Sequence, residues 1–345
     1  MKLGIVFGAK SFEHEISVVS AIVLKNVLNQ ECVFVFCDRL REFYLIESKN
    51  MKANFFSKGL YKKSKKLTLK QGGFYTNSIF GESKINADVF INLIHGMDGE
   101  DGKLASLFDF FGVDYIGPRL EASVLSFNKE LTKLFAKKVG VKTLDYEVIR
   151  REDNPKTSYP FILKPLRLGS SIGVSVVKTQ DEFDYAKDIA FEFDCDVLVE
   201  PFIENVKEYN LAGCIIDDEF KFSIIEEPKK SDFLDFEQKY LSFSNEQKVK
   251  SADISKELED GLKNAFMKIY KNTFEGALIR CDFFVIDNEI YLNEINPNPG
   301  SLAHYLFDDF KNIIISLSNS LPDKQNINID YKFLSSIISS KGNKI

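Results

Sequence analysis

An α/β fold is predicted for this chain by three observations. A strand, loop, helix unit opens it, and apolar strand-like runs alternate with segments of helical period along its length. Near its carboxyl end, two strands joined by a short turn, Leu278 to Asn296, carry charge on a face that a sheet ordinarily buries.

Leu3 to Phe7 is a short apolar run, followed by a polar loop from Ser11 to Glu15 and an apolar-periodic segment from Ile16 to Leu28. Strands at Val33 to Phe36 and Val89 to Ile94 complete an open layer of the kind that binds ligands beyond the carboxyl ends of its strands. Between them, residues 49–85 hold Lys62, Lys63, Lys65 and Lys66, then Gly72, Gly73 and short β-like runs, which read as a solvated hairpin insertion. After His95, the loop Gly96 to Gly102 leads to Leu104, Leu107, Phe108 and Phe111 at helical spacing, with Asp101 placed to cap that helix. A first domain is expected over residues 1–118.

A helical segment carrying Lys129 leads to a β-rich layer, expected as a second domain over residues 119–203. It contains Phe161 to Lys164, a glycine-serine loop, Val174 to Val177, a helix near Asp181 to Ala190 and the strand Val197 to Glu200. Residues 204–345 supply strands at Tyr209 to Ile216 and Phe220 to Ile225, a helix near Ile254 to Thr273, the charged hairpin and a helical tail from Leu306.

In the hairpin, side chains alternate faces, so Arg280 and Asp282 share one side, as do Glu294 and Asn296. A three-residue turn of Asp287, Asn288 and Glu289 would set Asp282 opposite Glu294 and Arg280 opposite Asn296; a two-residue turn would set Glu294 opposite Cys281. Facing carboxylates repel and call for a counter-charge, and Asp, Glu and Asn oxygens are the hard ligands that Mg²⁺ prefers. The same pattern also suits an amphipathic hairpin with one solvated face.

The 345 residues suffice for two or three domains. Apolar and charged fractions of 44% and 28% favour neither disorder nor a fibre, and a net charge of −6 argues against nonspecific nucleic-acid binding. Cys32, Cys37, Cys195, Cys214 and Cys281 are odd in number and lack metal spacing, so buried thiols in a reducing compartment are expected. Met1 to Gly8 is too short a run for a signal peptide and nothing approaches the ~18 residues of a membrane span; a cytoplasmic location is expected.

Lys164-Pro-Leu-Arg-Leu-Gly-Ser-Ser-Ile-Gly173 lies between two strands, where amides and hydroxyls can wrap phosphate oxygens and Lys164 can neutralise them; a plain glycine turn explains it equally. It is not a Walker A sequence, and no Gly-x-Gly-x-x-Gly follows the first strand. Glu200-Pro-Phe-Ile203 followed by Glu208 suits a flat base and a ribose, or a linker between domains. With three histidines, His14, His95 and His304, and no Gly-x-Ser-x-Gly elbow, neither a serine triad nor a zinc site is well supplied. The acidic loop after His95 lacks EF-hand spacing. Phosphate chemistry assisted by lysines and magnesium remains.

These residues together resemble the D-alanine:D-alanine ligase family. The ordered set is Glu13-His-Glu15-Ile-Ser, His95-Gly96, Lys129, Lys164-Pro with Gly169-Ser-Ser-x-Gly173, Glu200, Glu208, Lys239-Tyr240, Arg280-x-Asp282 and Asn293-Glu-Ile-Asn296 with Pro299-Gly300. The resemblance implies an ATP-grasp fold with a Rossmann-like amino-terminal (pre-ATP-grasp) domain. It implies ATP-dependent joining of two D-alanine molecules through an acyl phosphate, for peptidoglycan precursors, by a homodimer that takes no nucleic acid or membrane as partner.

The resemblance also implies roles. Asp282, Glu294 and Asn296 would hold two Mg²⁺ or Mn²⁺ ions, and Lys129, Lys164, Ser170, Ser171 and Lys239 would meet the phosphates of ATP. Glu200 and the Phe202-Ile203 backbone would read adenine, and Glu208 the ribose. Glu13 would bind the first substrate's ammonium, with His95 nearby; Arg280 and the Gly300 amide would hold the oxyanion of the tetrahedral intermediate. Ser170, Tyr240 and Glu13 would latch the glycine-serine loop, a loop around Asp232 to Ser244 and the first domain together. The chain departs from the family pattern at Leu168, where Glu is frequent, and at Tyr305, where Ser commonly binds the acceptor carboxylate. Readings with D-serine or D-lactate as acceptor, or as a catalytically silent nucleotide-binding regulator, stay open at this stage; the Lys239-Tyr240 pair implies that D-lactate is a poor acceptor.

Overall fold

The computed structural model describes residues 1–79, 81–228, 249–324 and 327–341. The opening unit is β1 (Leu3–Gly8) and α1 (His14–Leu28), followed by β2 (Cys32–Cys37). Every residue of β1 is buried, as a strand covered on both faces requires. β3 (Phe43–Ile46), the short helix α2 (Ala53–Ser57), β4 (Lys65–Lys70), β5 (Gly73–Ser78) and β6 (Gly81–Lys84) come next. This segment is built of antiparallel hairpins whose lysines and β6 face solvent, as expected; beyond that expectation, it extends the sheet outward from β2, and Leu67 and Phe74 enter a core with Phe90, Leu104 and Phe108.

β7 (Val89–Asn92) and β8 (Tyr115–Ile116) complete this sheet in the order β6-β5-β4-β3-β2-β1-β7-β8, the last strands parallel to β1. In α3 (Lys103–Phe110), Leu104 and Phe108 are buried and Leu107 is exposed. Asp101 accepts the Lys103 amide at 3.2 Å, but the cap position itself is Gly102. α4 (Leu120–Phe127) leads into α5 (Lys129–Lys138), whose cap is Asn128, accepting from the Glu130 and Leu131 amides.

β9 (Glu147–Ile149), β10 (Phe161–Pro165), β11 (Ser175–Val177) and β12 (Val197–Pro201) form an antiparallel sheet, ordered β11-β10-β12-β9 and backed by α6 (Gln180–Phe191). It has its own core of Ile149, Phe161, Leu163, Val177, Phe183, Val197 and Val199. β13 (Lys207–Ile216), β14 (Glu219–Glu226), β15 (Ile279–Ile286) and β16 (Glu289–Asn296) form a second antiparallel sheet, ordered β14-β13-β15-β16 and covered by α7 (Lys256–Tyr270). Its core is continuous with that of β1 and β2, joined through α8 (Phe310–Asn319). By burial, then, the first and last sheets are one large body and the central sheet a smaller one. α9 (Lys332–Lys341) lies exposed.

Arg280 faces Asn296 and Asp282 faces Glu294, as expected, but by another route. The three-residue turn is corrected: Glu289 already pairs with Ile286, leaving Asp287 and Asn288 as a two-residue turn with φ of 50° and 63°. The ladder keeps that register to Phe283 and Leu292, then shifts by one at Asn293. This bulge, an extra residue in one strand, is what turns Glu294 toward Asp282. Cys32, Cys37, Cys214 and Cys281 are free and buried; Cys195 is exposed, contrary to expectation, because it sits in the turn before β12. Among the described residues no helix is long and apolar enough to cross a membrane.

Candidate active site

The charged hairpin lies inside a longer row. Glu226 on β14, Asn210 on β13, Asp282 on β15 and Glu294 on β16 are directly paired across the sheet. The counter-charge demanded by this row is partly internal: Arg280 grips Asp282 through Nε (2.6 Å) and Nη2 (2.8 Å), the bidentate geometry that suits guanidinium and carboxylate. Asn296 Nδ2 donates to Asp282 at 3.0 Å and to Glu294 at 3.4 Å. Asn210 donates to Glu226 at 3.0 Å, and its buried Oδ1 has no partner among the described residues. Arg280 Nη1 reaches the Tyr305 hydroxyl at 3.4 Å, and that hydroxyl lies 3.5 Å from Glu226.

Hard oxygen donors clustered on one face, with an unpartnered amide oxygen among them, suit a divalent cation. Turning the Asn296 amide over would present its oxygen in place of its NH₂ group. Asp282, Glu294 and Asn296 therefore fit a metal, with Arg280 on the flank of Asp282.

Across the cleft, Lys129 opens α5 and donates to the carbonyls of Pro165, at 3.1 Å, and Leu168. Burial lowers its affinity for protons, while the charges of Glu294, Glu13 and Glu200 work the other way. Lys164 on β10 lies 2.7 Å from Glu200 Oε2 and 3.3 Å from Asn293 Oδ1 on the opposing sheet. Burial disfavours its charge, but the Glu200 carboxylate beside it prevails and the net shift is upward. Glu200 also pairs with Lys133, so both its oxygens are held by lysines, and those two charges keep it ionised in spite of burial.

The glycine-serine loop passes through positive φ at Ser170, Ser171 and Gly173, and it is closed by the Ile172 amide donating to the Gly169 carbonyl at 3.2 Å. Ser170 donates to Glu13 Oε1 across the domain boundary. A Cβ at Gly96 would lie 2.5 Å from Glu13 Oε2, so glycine is what admits that carboxylate. Glu13 is 4% exposed and its Oε2 has no hydrogen-bond partner among the described residues. Burial, then the nearby Glu100, raises its pKa to about 7. Glu100 itself is raised to about 8, by burial first and by Glu294. His95 is buried, bonded through Nε2 to Ser20 Oγ at 2.9 Å, with Nδ1 3.5 Å from Glu100; burial lowers its pKa. Beside this junction the Phe12 ring meets Phe193 edge-on, with centroids 5.1 Å apart.

Gly300 opens a turn in which Ser301, Leu302 and Ala303 all have left-handed φ, 47° to 53°, and the Ser301 amide donates to Ser20 at 3.1 Å. Three such residues in series are costly for L-amino acids, about 1 kcal/mol or more each, and the buried seat against α1 holds them. At Phe202 the amide donates to the Pro160 carbonyl at 3.0 Å. Glu208 lies on the face of the Asp282 row, two residues from Asn210. Lys239, Tyr240 and the loop around them lie outside the described residues.

Sequence reasoning missed Lys133, Asn210, Glu226 and Glu100. Lys133 stands one helical turn after Lys129, and Asn210 alternates with Glu208, so periodicity could have marked both. Glu226 becomes visible only through strand pairing.

Two antiparallel sheets closing on a cleft with lysines on one side and carboxylates on the other define an ATP-grasp enzyme, a class of ATP-dependent ligases. The chain matches the family described as D-ala D-ala ligase N-terminus over residues 2–118 and D-ala D-ala ligase C-terminus over residues 135–312. It is 70% identical over 342 residues to a D-alanine–D-alanine ligase of Campylobacter concisus, and 60% identical over 344 residues to one of Campylobacter lari, with 99% of each chain covered in both. A crystal structure of the D-alanine–D-alanine ligase from Helicobacter pylori superposes with a TM-score of 0.85 at 51% identity, covering 94% of this chain and 100% of that one. The VanG D-Ala:D-Ser ligase from Enterococcus faecalis gives a TM-score of 0.71 at 25% identity, covering 92% and 98%. The chain belongs to the D-alanine–D-alanine ligase family.

Proposed function

We propose that this protein joins two D-alanine molecules at the expense of ATP, with ADP and phosphate as the other products, supplying the dipeptide for peptidoglycan precursors. The observation that supports it most is convergence: one cavity is lined by Glu100 of the loop after β7, Lys129 of α5, Gly169 of the glycine-serine loop, and Glu294 and Asn296 of the charged hairpin.

The buried Oε2 of Glu13, without a hydrogen-bond partner among the described residues, receives the ammonium of the first D-alanine, whose arrival favours the ionised carboxylate. Lys129 and Lys164, with the amides of Ser170 and Ser171 and the hydroxyl of Ser171, orient the triphosphate; Glu208 takes the ribose, and Glu200 lies at the adenine end of the cleft. The substrate carboxylate attacks the γ-phosphorus, the bond to the β-phosphate oxygen breaks, and ADP departs. Two Mg²⁺ or Mn²⁺ ions on Asp282, Glu294 and Asn296 supply, when bound, charge neutralisation for this transfer.

The ammonium of the second D-alanine releases a proton to solvent, and the resulting amine attacks the acyl carbon. Arg280, held by Asp282 with Nη1 directed toward Tyr305, and the Gly300 amide stabilise the oxyanion before phosphate leaves. Tyr305 takes the acceptor carboxylate in the manner of the family's serine. Ser170 on Glu13, completed by Tyr240, with Lys239 on the phosphates, excludes water from the acyl phosphate.

We also infer a cytoplasmic homodimer; exposed Leu107, Phe110, Leu120 and Val124 offer apolar surface for a second copy. Mass spectrometry of products from ATP, Mg²⁺ and D-alanine, competed with D-serine, D-lactate and L-alanine, tests the activity. D-alanyl-D-alanine is expected as the main product; its absence would sink the reading, and a dominant mixed product with D-serine would redirect it. Sedimentation velocity tests the dimer.

A further inference from the structure

We infer that Lys133 is a positioning residue for the nucleotide: it neutralises Glu200 and thereby leaves the charge of Lys164 available to the phosphates. The inference rests on the reading above that Lys164 faces ATP. Exposure is graded along the triad. The side chains of Lys133 and Glu200 are each 2% exposed, and that of Lys164 is 14% exposed, nearest the cleft. Lys133 meets the Oε1 oxygen of Glu200 and Lys164 meets Oε2, so the carboxylate stands between the two lysines. The Lys133 Nζ also lies 3.3 Å from the Leu144 carbonyl and sits 5.4 Å from the Tyr146 ring.

A single lysine would neutralise Glu200. A second buried ammonium costs further desolvation and repels the first, so for stability alone it has no use. The count of charges supplies one: two ammoniums and one carboxylate leave a net charge of +1, carried by the member at the cleft. Without Lys133 the net is zero, and a triphosphate must compete with a buried carboxylate for Lys164, where such competition is weakly screened. The other oxygen of the carboxylate fixes geometry as well, since Glu200 Oε2 stands 2.7 Å from Lys164 and draws it along β12.

The test uses the full-length enzyme, with initial rates measured against ATP and D-alanine separately and folding followed by thermal unfolding. Lys133→Met is expected to raise KM for ATP about tenfold or more while KM for D-alanine stays within about twofold. Lys133→Arg, which restores the charge, is expected to recover most of that loss. An unchanged KM for ATP in a folded Lys133→Met protein overturns the inference, as does a Lys133→Arg protein that recovers none of the loss. If Lys133→Met does not fold, Lys133→Gln takes its place with the same expected and overturning outcomes. Failure of the unaltered enzyme to make dipeptide would instead overturn the functional reading itself.

Discussion

Glu13 shows how one carboxylate can be both costly and useful. It was legible as a candidate because it falls in the first strand-to-helix loop, but its ionisation was not, since burial and the field of Glu100 come from elsewhere in the chain. Its folded pKa of about 7 lies above the ordinary 4.5. The folded state therefore holds the proton more tightly between these values, and stability falls as pH rises through that window. The total is about 3 kcal/mol. In the ligand-free protein, Glu13→Gln is expected to flatten the dependence of unfolding free energy on pH between about 4.5 and 7; an identical slope in both proteins would remove the case for a strained carboxylate. On the opposite sheet, Glu294→Gln is expected to cut dipeptide formation by about a hundredfold or more while leaving the unfolding midpoint nearly unchanged. A large loss of stability would instead make the row a structural hairpin.

Elements bear the same lesson in the β15–β16 hairpin. Alternation correctly put Arg280 with Asp282 and Glu294 with Asn296, yet the turn is a residue shorter than symmetry suggested and the Asn293 bulge makes up the difference. A bulge leaves no pattern in composition, because any residue can be the extra one; the Asp-Asn pair at positive φ was the available signal for the short turn. Asn288→Val, a β-branched residue forced to φ of 63°, is expected to destabilise the protein by about 1–2 kcal/mol in denaturant unfolding. Asn288→Gly should be tolerated.

At the scale of the whole molecule, closure depends on contacts between bodies rather than on any one sheet. Phe12 is 54% exposed yet meets Phe193, which itself packs where a Cβ at Gly173 would be 2.7 Å from its ring. This ring pair ties the loop of Glu13 to the loop of Ser170 independently of their hydrogen bond. Phe12→Ala is expected to let water reach the acyl phosphate, raising ADP released per dipeptide about twofold or more. A ratio unchanged from the unaltered enzyme would show that the hydrogen-bonded latch suffices.

The sequence by itself determined the α/β class and the order of most strands and helices, because hydrophobic period and residue type are local properties. Its resemblance to a known family implied that lysines and carboxylates of separate segments belong together. Only the tertiary structure decided how they are paired. The grip of Arg280 on Asp282, the extension of the row to Asn210 and Glu226, and the enclosure of Glu200 between Lys133 and Lys164 depend on register, burial and the approach of distant strands. Coulomb and desolvation energies vary with those distances and with that burial, which no local pattern encodes.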